Sequence, residues 1–381
     1  MSAGLPPLPL ERLRKRRSVK WTMFEPDVLP SFVAETDFEL ASPVRAALAR
    51  AVAEGDTGYA YPAASGLGAA LAGFLERRMS WSIDPEAVIT TNDVVAGLSS
   101  LLVVLTEPGD GVVITPPVYH PFFSLVPESE RKLVEVPLLG GRKLDLDGIE
   151  REFAAGAKVM ILCNPHNPTG VVARRDELER LAAIAAAHDG WILSDEIHSP
   201  LTLAGAEHVP FVTVSDEAAA RGIVLVSASK AFNLAGLGCA QIVSAEGPAR
   251  EQAEELSFFA RHCGHLGLIA AEAAYADGDD WLDSLLITLD ENRRLLGDLL
   301  ADQLPEAKYA QPEAGYLSWI DVAAYDLGPD PAAVILERGR LALSPGSQFG
   351  VGGETFVRLN AGTSAELLTE AVARLARGAT G

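Results

Sequence analysis

Cysteine is scarce in this chain: Cys163, Cys239 and Cys263 are all there is in 381 residues. An odd, sparse set without framework spacing excludes a disulfide scaffold and points to reduced thiols and a cytoplasmic home. Long apolar runs are also missing. No stretch of about 18 apolar residues exists, so no membrane span is expected. The opening residues, with Pro6, Pro7 and Pro9, lack the apolar core of a signal peptide. Positive charge is short as well. The 31 Lys+Arg face 52 Asp+Glu, for a net charge of −21. An acidic surface repels nucleic acid and anionic membrane, so neither is expected as a partner. The one basic run, Arg12 to Arg17, is read as a local arm rather than a binding tail or localisation signal. Internal repeats and low-complexity linkers are absent too.

What remains is an ordinary globular balance, 48% hydrophobic and 22% charged. The length suffices for two domains with well-buried cores. Leu5 to Pro30 reads as an extended arm. Ser42-Pro43 then opens a helix with Val44, Leu48 and Val52 on one face, and Gly55 ends it. Asp56 to Pro62 is a turn-rich loop carrying Tyr59 and Tyr61. Gly66-Leu67-Gly68 resembles the start of a dinucleotide fingerprint, but Leu71 stands in place of the third glycine and no strand precedes it. It is read as the start of an amphipathic helix through Arg78 instead.

From Ala87 onward apolar strands alternate with helical patterns. Val88-Ile89-Thr90, Gly111 to Ile114, Lys158 to Leu162, Trp191 to Ser194 and Ile223 to Val226 read as strands. Asn92-Asp93 caps a helix from Val94 to Leu105. The pattern predicts an α/β fold with a mostly parallel central sheet covered on both faces by helices. Leu256 to Ala274 reads as one helix, and a longer one runs from about Asp280 to Gln303. Beyond Pro305, Tyr316 to Ile320 and Thr355 to Leu359 alternate like strands of a smaller α+β unit, closed by a helix capped at Ser364. The domain division is expected at 1–45 (arm and part of a small domain), 46–275 (large domain) and 276–381 (C-terminal small domain).

Four points stand at ends or turns beside these strands. Asn164-Pro165-His166-Asn167-Pro168-Thr169-Gly170 is a rigid turn able to hold the Asn167 amide in place, or an ordinary strand-to-helix loop. In Ser194-Asp195-Glu196-Ile197-His198, alternation points Asp195 and Ile197 to one face. Asp195 could pair with a protonated pyridine nitrogen, or serve as a helix cap or structural ion pair. In Ser227-Ala228-Ser229-Lys230, the lysine could form a Schiff base with an aldehyde cofactor, or simply be solvated in a loop. The serines, with the amides opening the Val94 helix, could form a phosphate cradle from which the Asp93 carboxylate points away. Arg358 could clamp a carboxylate, or form a surface salt bridge.

In this order the segments resemble the fold-type I pyridoxal-phosphate enzymes of the aspartate aminotransferase superfamily, over nearly the whole chain. More narrowly the chain resembles the MalY/PatB branch, the cystathionine β-lyase-like C–S lyases. That narrower match rests on Lys20-Trp21 through Leu29-Pro30 to Val33 to Phe38, on His198 where many aminotransferases have tyrosine, and on Gly238 where many have a phosphate-binding arginine. The resemblance implies pyridoxal 5′-phosphate as cofactor and these roles. Lys230 forms the Schiff base, Asp195 pairs with the pyridine nitrogen, and Tyr119 stacks on the ring. Asn167 and His198 address the ring's 3-oxygen. Ser227, Ser229 and the amides of Val94 and Val95 bind phosphate. Tyr59 reaches the phosphate of a neighbouring subunit in a homodimer, and Arg358, with Asn167, binds the substrate α-carboxylate. Glu35-Thr36 and Ser31-Phe32 depart from the branch pattern, which bears on side-chain preference rather than cofactor binding.

The implied reaction is α,β-elimination on a small amino acid, a cysteine S-conjugate, with Lys230 as the base and Tyr119 or Lys230 protonating the departing thiolate. An aminotransferase is the alternative. A regulatory domain is a third reading, disfavoured because no helix-turn-helix segment precedes the fold. His262-Cys263-Gly264-His265 superficially resembles metal ligands, but no second ligand pair follows, and it is read as part of a helix near the site entrance. Cys239 is read as a small buried residue.

Overall fold

A computed structural model of the chain describes residues 4–381. The arm is not wholly extended, as its sequence suggests. It carries two single-turn helices, α1 (Leu10–Leu13) and α2 (Val19–Thr22), and a two-residue strand β1 (Leu29–Pro30). These turns are too short to show a helical period. They form because Leu13 and Lys20 are buried against the rest of the protein.

Helices α3 (Ser42–Glu54) and α4 (Leu67–Met79) follow. The buried stripe of α3 is Val44, Ala47 and Ala51, while Val52 is 63% exposed, contrary to the expected face. Ala41 rather than Ser42 occupies the N-cap, with Pro43 in the first turn. Gly55 ends the helix at φ +71°, a left-handed stop that costs glycine little.

The alternating region supplies β2 (Ile89–Thr91), α5 (Val94–Leu105), β3 (Gly111–Ile114), α6 (Pro121–Glu128), β4 (Lys132–Glu135), α7 (Leu146–Ala154) and β5 (Ala157–Cys163). It continues with α8 (Arg175–Ala187), β6 (Trp191–Asp195), α9 (Asp216–Arg221), β7 (Gly222–Val226), α10 (Ala228–Ala231), β8 (Ala240–Val243) and α11 (Pro248–Glu254). The strands form a seven-stranded sheet in the order β2-β8-β7-β6-β5-β3-β4. Only β8 runs against its neighbours. Each central strand feeds two cores by simple alternation. Met160, Leu162, Ile192 and Val224 enter one apolar cluster, while Val159, Ile161, Leu193 and Ile223 enter another. The mostly parallel α/β sheet with helices on both faces is therefore as the sequence predicts.

Next come α12 (His265–Asp277) and α13 (Asp279–Gln303). The single helix expected over Leu256 to Ala274 is broken instead. A 3-10 turn, Phe258–Arg261, and extended residues 262–264 precede α12. Gly264 explains the break. It packs so tightly on the preceding loop that a Cβ there would lie 2.3 Å from the Leu237 carbonyl oxygen, and its N–H donates to Gly238 O at 2.6 Å.

The remaining elements are β9 (Lys308–Tyr309), β10 (Leu317–Asp321), α14 (Pro331–Gly339), β11 (Leu341–Ala342), β12 (Ser344–Pro345), β13 (Phe356–Asn360) and α15 (Ala365–Thr380). Strands β12-β13-β10-β9 make an antiparallel sheet, and β1 of the arm pairs with β11. Leu8, Leu13 and Leu29 of the arm share an apolar cluster with β10, β13 and α15. Ser364 caps α15, accepting a hydrogen bond from Leu367 N. Among the described residues, no helix is long and apolar enough to cross a membrane.

Candidate active site

Parallel strands end at a common edge, and β5, β6 and β7 are neighbours in the sheet. Cys163 of β5 is in register with Asp195 of β6, and Asp195 with Leu225 of β7. The three following loops therefore meet, and they carry Asn167, Asp195 to His198, and Ser227 to Lys230. Ligand sites of open α/β sheets collect at such an edge. A fourth contribution comes from β13, whose Arg358 lies in register with Ser344 of β12 and Trp319 of β10.

These loops surround a cavity of about 710 Å³. Val94, Val95, Tyr119 and Asn167 line it, as do Asp195, His198, Ser229, Lys230 and Arg358. Two candidates do not. Ser227 caps α10: its Oγ accepts from Ser229 N at 3.1 Å and donates to the Cys239 carbonyl at 2.7 Å, behind the wall. Tyr59 stands in its loop 95% exposed to solvent.

Alternation at the end of β6 separates two acids. Glu196 turns into the core, where its oxygens accept from Ser194 Oγ, Phe211 N and His208 Nε2 at 2.8–2.9 Å. Asp195 faces the cavity with a single hydrogen bond, from Ile197 N at 3.2 Å. The strand stops at Asp195 and Ile197 lies in the following turn, yet both line the cavity, on one side as the alternation predicts. Burial pushes the Asp195 carboxyl up to about 7, although the Lys230 charge opposes this. A buried carboxylate with one unpaired oxygen is the arrangement that a cationic ring N–H would satisfy.

The other ionisable groups are shifted in compatible directions. Burial, then the nearby Arg358 charge, lowers the Lys230 ammonium below its ordinary range. Its Nζ has one long hydrogen bond, to Ala34 O at 3.5 Å. His198 is driven down to about 3 by burial and by the Lys230 and Arg358 charges, and so stays a neutral imidazole. Burial raises Tyr119 to about 12, which keeps its phenol protonated. Arg358 falls to about 10 by burial and remains a cation. Its Nη1 donates to Asn167 Oδ1 at 2.9 Å and its Nη2 to Phe32 O at 2.9 Å and Ser344 Oγ at 3.0 Å. The fork is thus pre-aimed on both sides.

At the start of α5, Asp93 Oδ1 accepts from Ala96 N at 2.8 Å and Oδ2 from Asn92 Nδ2 at 2.7 Å. The carboxylate is spent on its own cap. The first two helical N–H groups, of Val94 and Val95, have no intrahelical partner and border the cavity beside Ser229. This suits an anion.

Sequence reasoning misses the strap that closes the site. Residues 33–38 are held by Asn360 Nδ2, which donates to Val33 O and Glu35 O at 2.5 and 2.6 Å. Asn233, three residues past Lys230, exchanges two hydrogen bonds with the Thr36 backbone. Lys20 pairs with Asp37 at 2.8 Å, both buried, and Arg16 of the basic run donates to Thr36 O and Phe38 O. Tyr316 Oη donates to Ala34 O at 3.1 Å. One residue of the basic run, Arg16, thus helps to tie down the strap.

The residues of the His262-Cys263-Gly264-His265 motif point to separate partners. The His262 ring packs on Phe258, and His265 Nε2 pairs with Asp56 Oδ1 at 2.9 Å. They lie at the break before α12, not inside a helix as expected, with only His265 in its first turn. Cys239 is buried as read. Gly238 sits at φ +66°, and a Cβ there would stand 2.7 Å from Asn92 Oδ1.

The family model for aminotransferase class I and II matches residues 34–375. The chain is 39% identical over 370 residues to a cystathionine β-lyase of Corynebacterium glutamicum, covering 96% of this chain and 98% of that protein. It is 35% identical over 374 residues to cystathionine β-lyase PatB of Bacillus subtilis, covering 94% and 96%. The crystal structure of cystalysin from Treponema denticola, which contains pyridoxal 5′-phosphate, superposes with a TM-score of 0.90 at 29% identity, covering 99% and 98%. The chain belongs to the aminotransferase class I and II family, the fold-type I pyridoxal-phosphate enzymes, and within it to the cystathionine β-lyase-like C–S lyase branch.

Proposed function

We propose that the protein is a pyridoxal-phosphate-dependent C–S lyase acting on cysteine S-conjugates. The carrying observation is that one cavity gathers Lys230, Asp195 and Arg358. The balanced reaction takes R–S–CH₂–CH(NH₃⁺)–COO⁻ and water to R–SH, pyruvate and ammonium. When bound, pyridoxal 5′-phosphate supplies an aldehyde for Schiff-base chemistry and a pyridinium ring that accepts electron density from Cα.

The chain's own residues do the rest. Asp195 would hold the ring N–H, and Asn167 and His198 would address the 3-oxygen. Tyr119, which lines the same cavity, would pack against the ring. Ser229 and the N–H groups of Val94 and Val95 take the phosphate, with Ser227 orienting Ser229 from behind. Arg358, steadied by Asn167, binds the substrate carboxylate. Lys230, with its lowered proton affinity, removes the Cα proton. The C–S bond then breaks at Cβ, and the thiolate takes a proton from Tyr119 or Lys230. We further propose a homodimer in which the exposed Tyr59 reaches the phosphate site of the partner subunit, and a cytoplasmic location.

Incubation of the loaded enzyme with L-cystathionine and simple S-alkyl cysteines, without any 2-oxo acid, is expected to release pyruvate. Lys230→Ala should lower that rate by about 10²–10⁴-fold. No pyruvate from any conjugate, with amino-group exchange to a 2-oxo acid instead, would establish the aminotransferase alternative.

A further inference from the structure

The cofactor-side residues account for only part of the cavity wall. Away from the cofactor side, its apolar lining includes Met23, Phe24 and Phe32 of the arm, Ala333 and Leu336 of α14, and Leu343 between β11 and β12. Phe24 and Phe32 meet edge to face with centroids 5.2 Å apart, and Met23 is 60% exposed at the mouth. Phe32 and Leu343 adjoin the clamp directly, because Arg358 bonds the Phe32 carbonyl and the Ser344 hydroxyl. A substituent leaving the reacting centre for the mouth runs along this wall.

Charge on the wall is one-sided. The lysine and arginine that line the cavity are Lys230 and Arg358, both at the reacting centre. Among the described residues, the acidic side chain on the wall beside the arm and α14 is Asp330, the N-cap of α14. Its Oδ1 caps α14 by accepting from Ala333 N at 3.1 Å.

Resting on the lyase reading, we infer that this wall selects the departing thiol. Conjugates with an uncharged, apolar alkyl or aryl group on sulfur are preferred over conjugates that carry a distal carboxylate. An apolar substituent gains by leaving water for Phe24, Phe32 and Leu336. A carboxylate at the same place loses hydration, finds no cation and meets Asp330. L-Cystathionine, whose distal half carries both an ammonium and a carboxylate, falls between the two.

The test compares S-butyl-L-cysteine with S-(2-carboxyethyl)-L-cysteine, which have side chains of similar length, using the holoenzyme and pyruvate release. L-Cystathionine is the third substrate. The butyl conjugate is expected to exceed the carboxyethyl conjugate in kcat/KM by at least about tenfold. Asp330→Asn keeps a capping oxygen while removing the charge. It should narrow the ratio by about threefold, in keeping with an exposed charge. Leu336→Arg should narrow it further. Equal rates, or preference for the carboxyethyl conjugate, overturn the inference while leaving the lyase reading intact. No pyruvate from any of the three sinks that reading and this inference with it.

Discussion

Asp195 is a carboxylate that burial, with the neighbouring Glu196 charge, holds near half-protonation at neutral pH, with a folded-state pKa raised from 3.8 to about 7. At pH 8 its charge is maintained at a cost to the cofactor-free protein. Asp195→Asn is expected to stabilise that form by on the order of 2 kcal/mol in urea unfolding at pH 8, while abolishing pyruvate release. That cost is relieved on acidification, between about pH 7 and 4. His198 and His166 have folded pKa values lowered to about 3 and about 4. Their contribution is present above the unfolded value near 6.5 and is lost as pH falls, at roughly 1.4 kcal/mol per pH unit for each ring. Asp195 offsets part of that loss between about pH 7 and 4. The Asn variant should therefore lose stability more steeply than wild type between pH 7 and 4.5, and an unchanged slope would contradict these shifts. At this scale the reacting groups are legible in the sequence. Lys230, Asp195 and Asn167 each follow a buried apolar run, and a polar residue there must face a site or find a partner. The position of Ser227 behind the wall is not legible, because a hydroxyl at an N-cap and one at a ligand have the same sequence signature.

The element that sequence patterning leaves dark is the strap at residues 33–38. It has no helical or strand period, and what fixes it comes from far away: Lys20, Asn233, Tyr316 and Asn360. Backbone carbonyls such as that of Ala34 leave no trace in a sequence. The Lys20–Asp37 pair is buried on both sides. Removing one partner strands the other charge, so Lys20→Met should cost about 3–5 kcal/mol. Lys20→Met with Asp37→Leu should recover most of it, as read from urea midpoints. Asn233 has φ +59°, a conformation glycine tolerates. Asn233→Gly thus removes the two hydrogen bonds to Thr36 without forcing the backbone. It should lower kcat/KM by about tenfold through loss of strap order near Lys230, with a Tm shift of only a few degrees. The broken helix at Leu256 to Ala274 teaches the same lesson. Its apolar pattern is helical, but close approach of Gly264 to Leu237 overrides it.

Over the whole molecule, the fold follows from alternation between two periods, strands of period 2 feeding two cores and helices covering both. That is why the α/β sheet is legible at the level of strands. The strand order is not, since it depends on which crossovers pack, and the reversed β8 has no signature in composition. The arm's union with the C-terminal core is likewise long-range. The assembly is tested by mass measurement in solution. A dimer is expected, and Tyr59→Phe should weaken cofactor retention on dialysis without altering the mass. A monomer that retains full activity would refute the shared site.

Gly238 carries a consequence for descent. Many aminotransferases of the superfamily place a phosphate-binding arginine at the corresponding position, and a single codon change could write one here. An arginine there would carry the strain of a left-handed backbone at φ +66°, and its Cβ would have to push the Asn92 side chain aside. A change of glycine to arginine at this site thus carries a local cost in backbone strain and in repositioning Asn92.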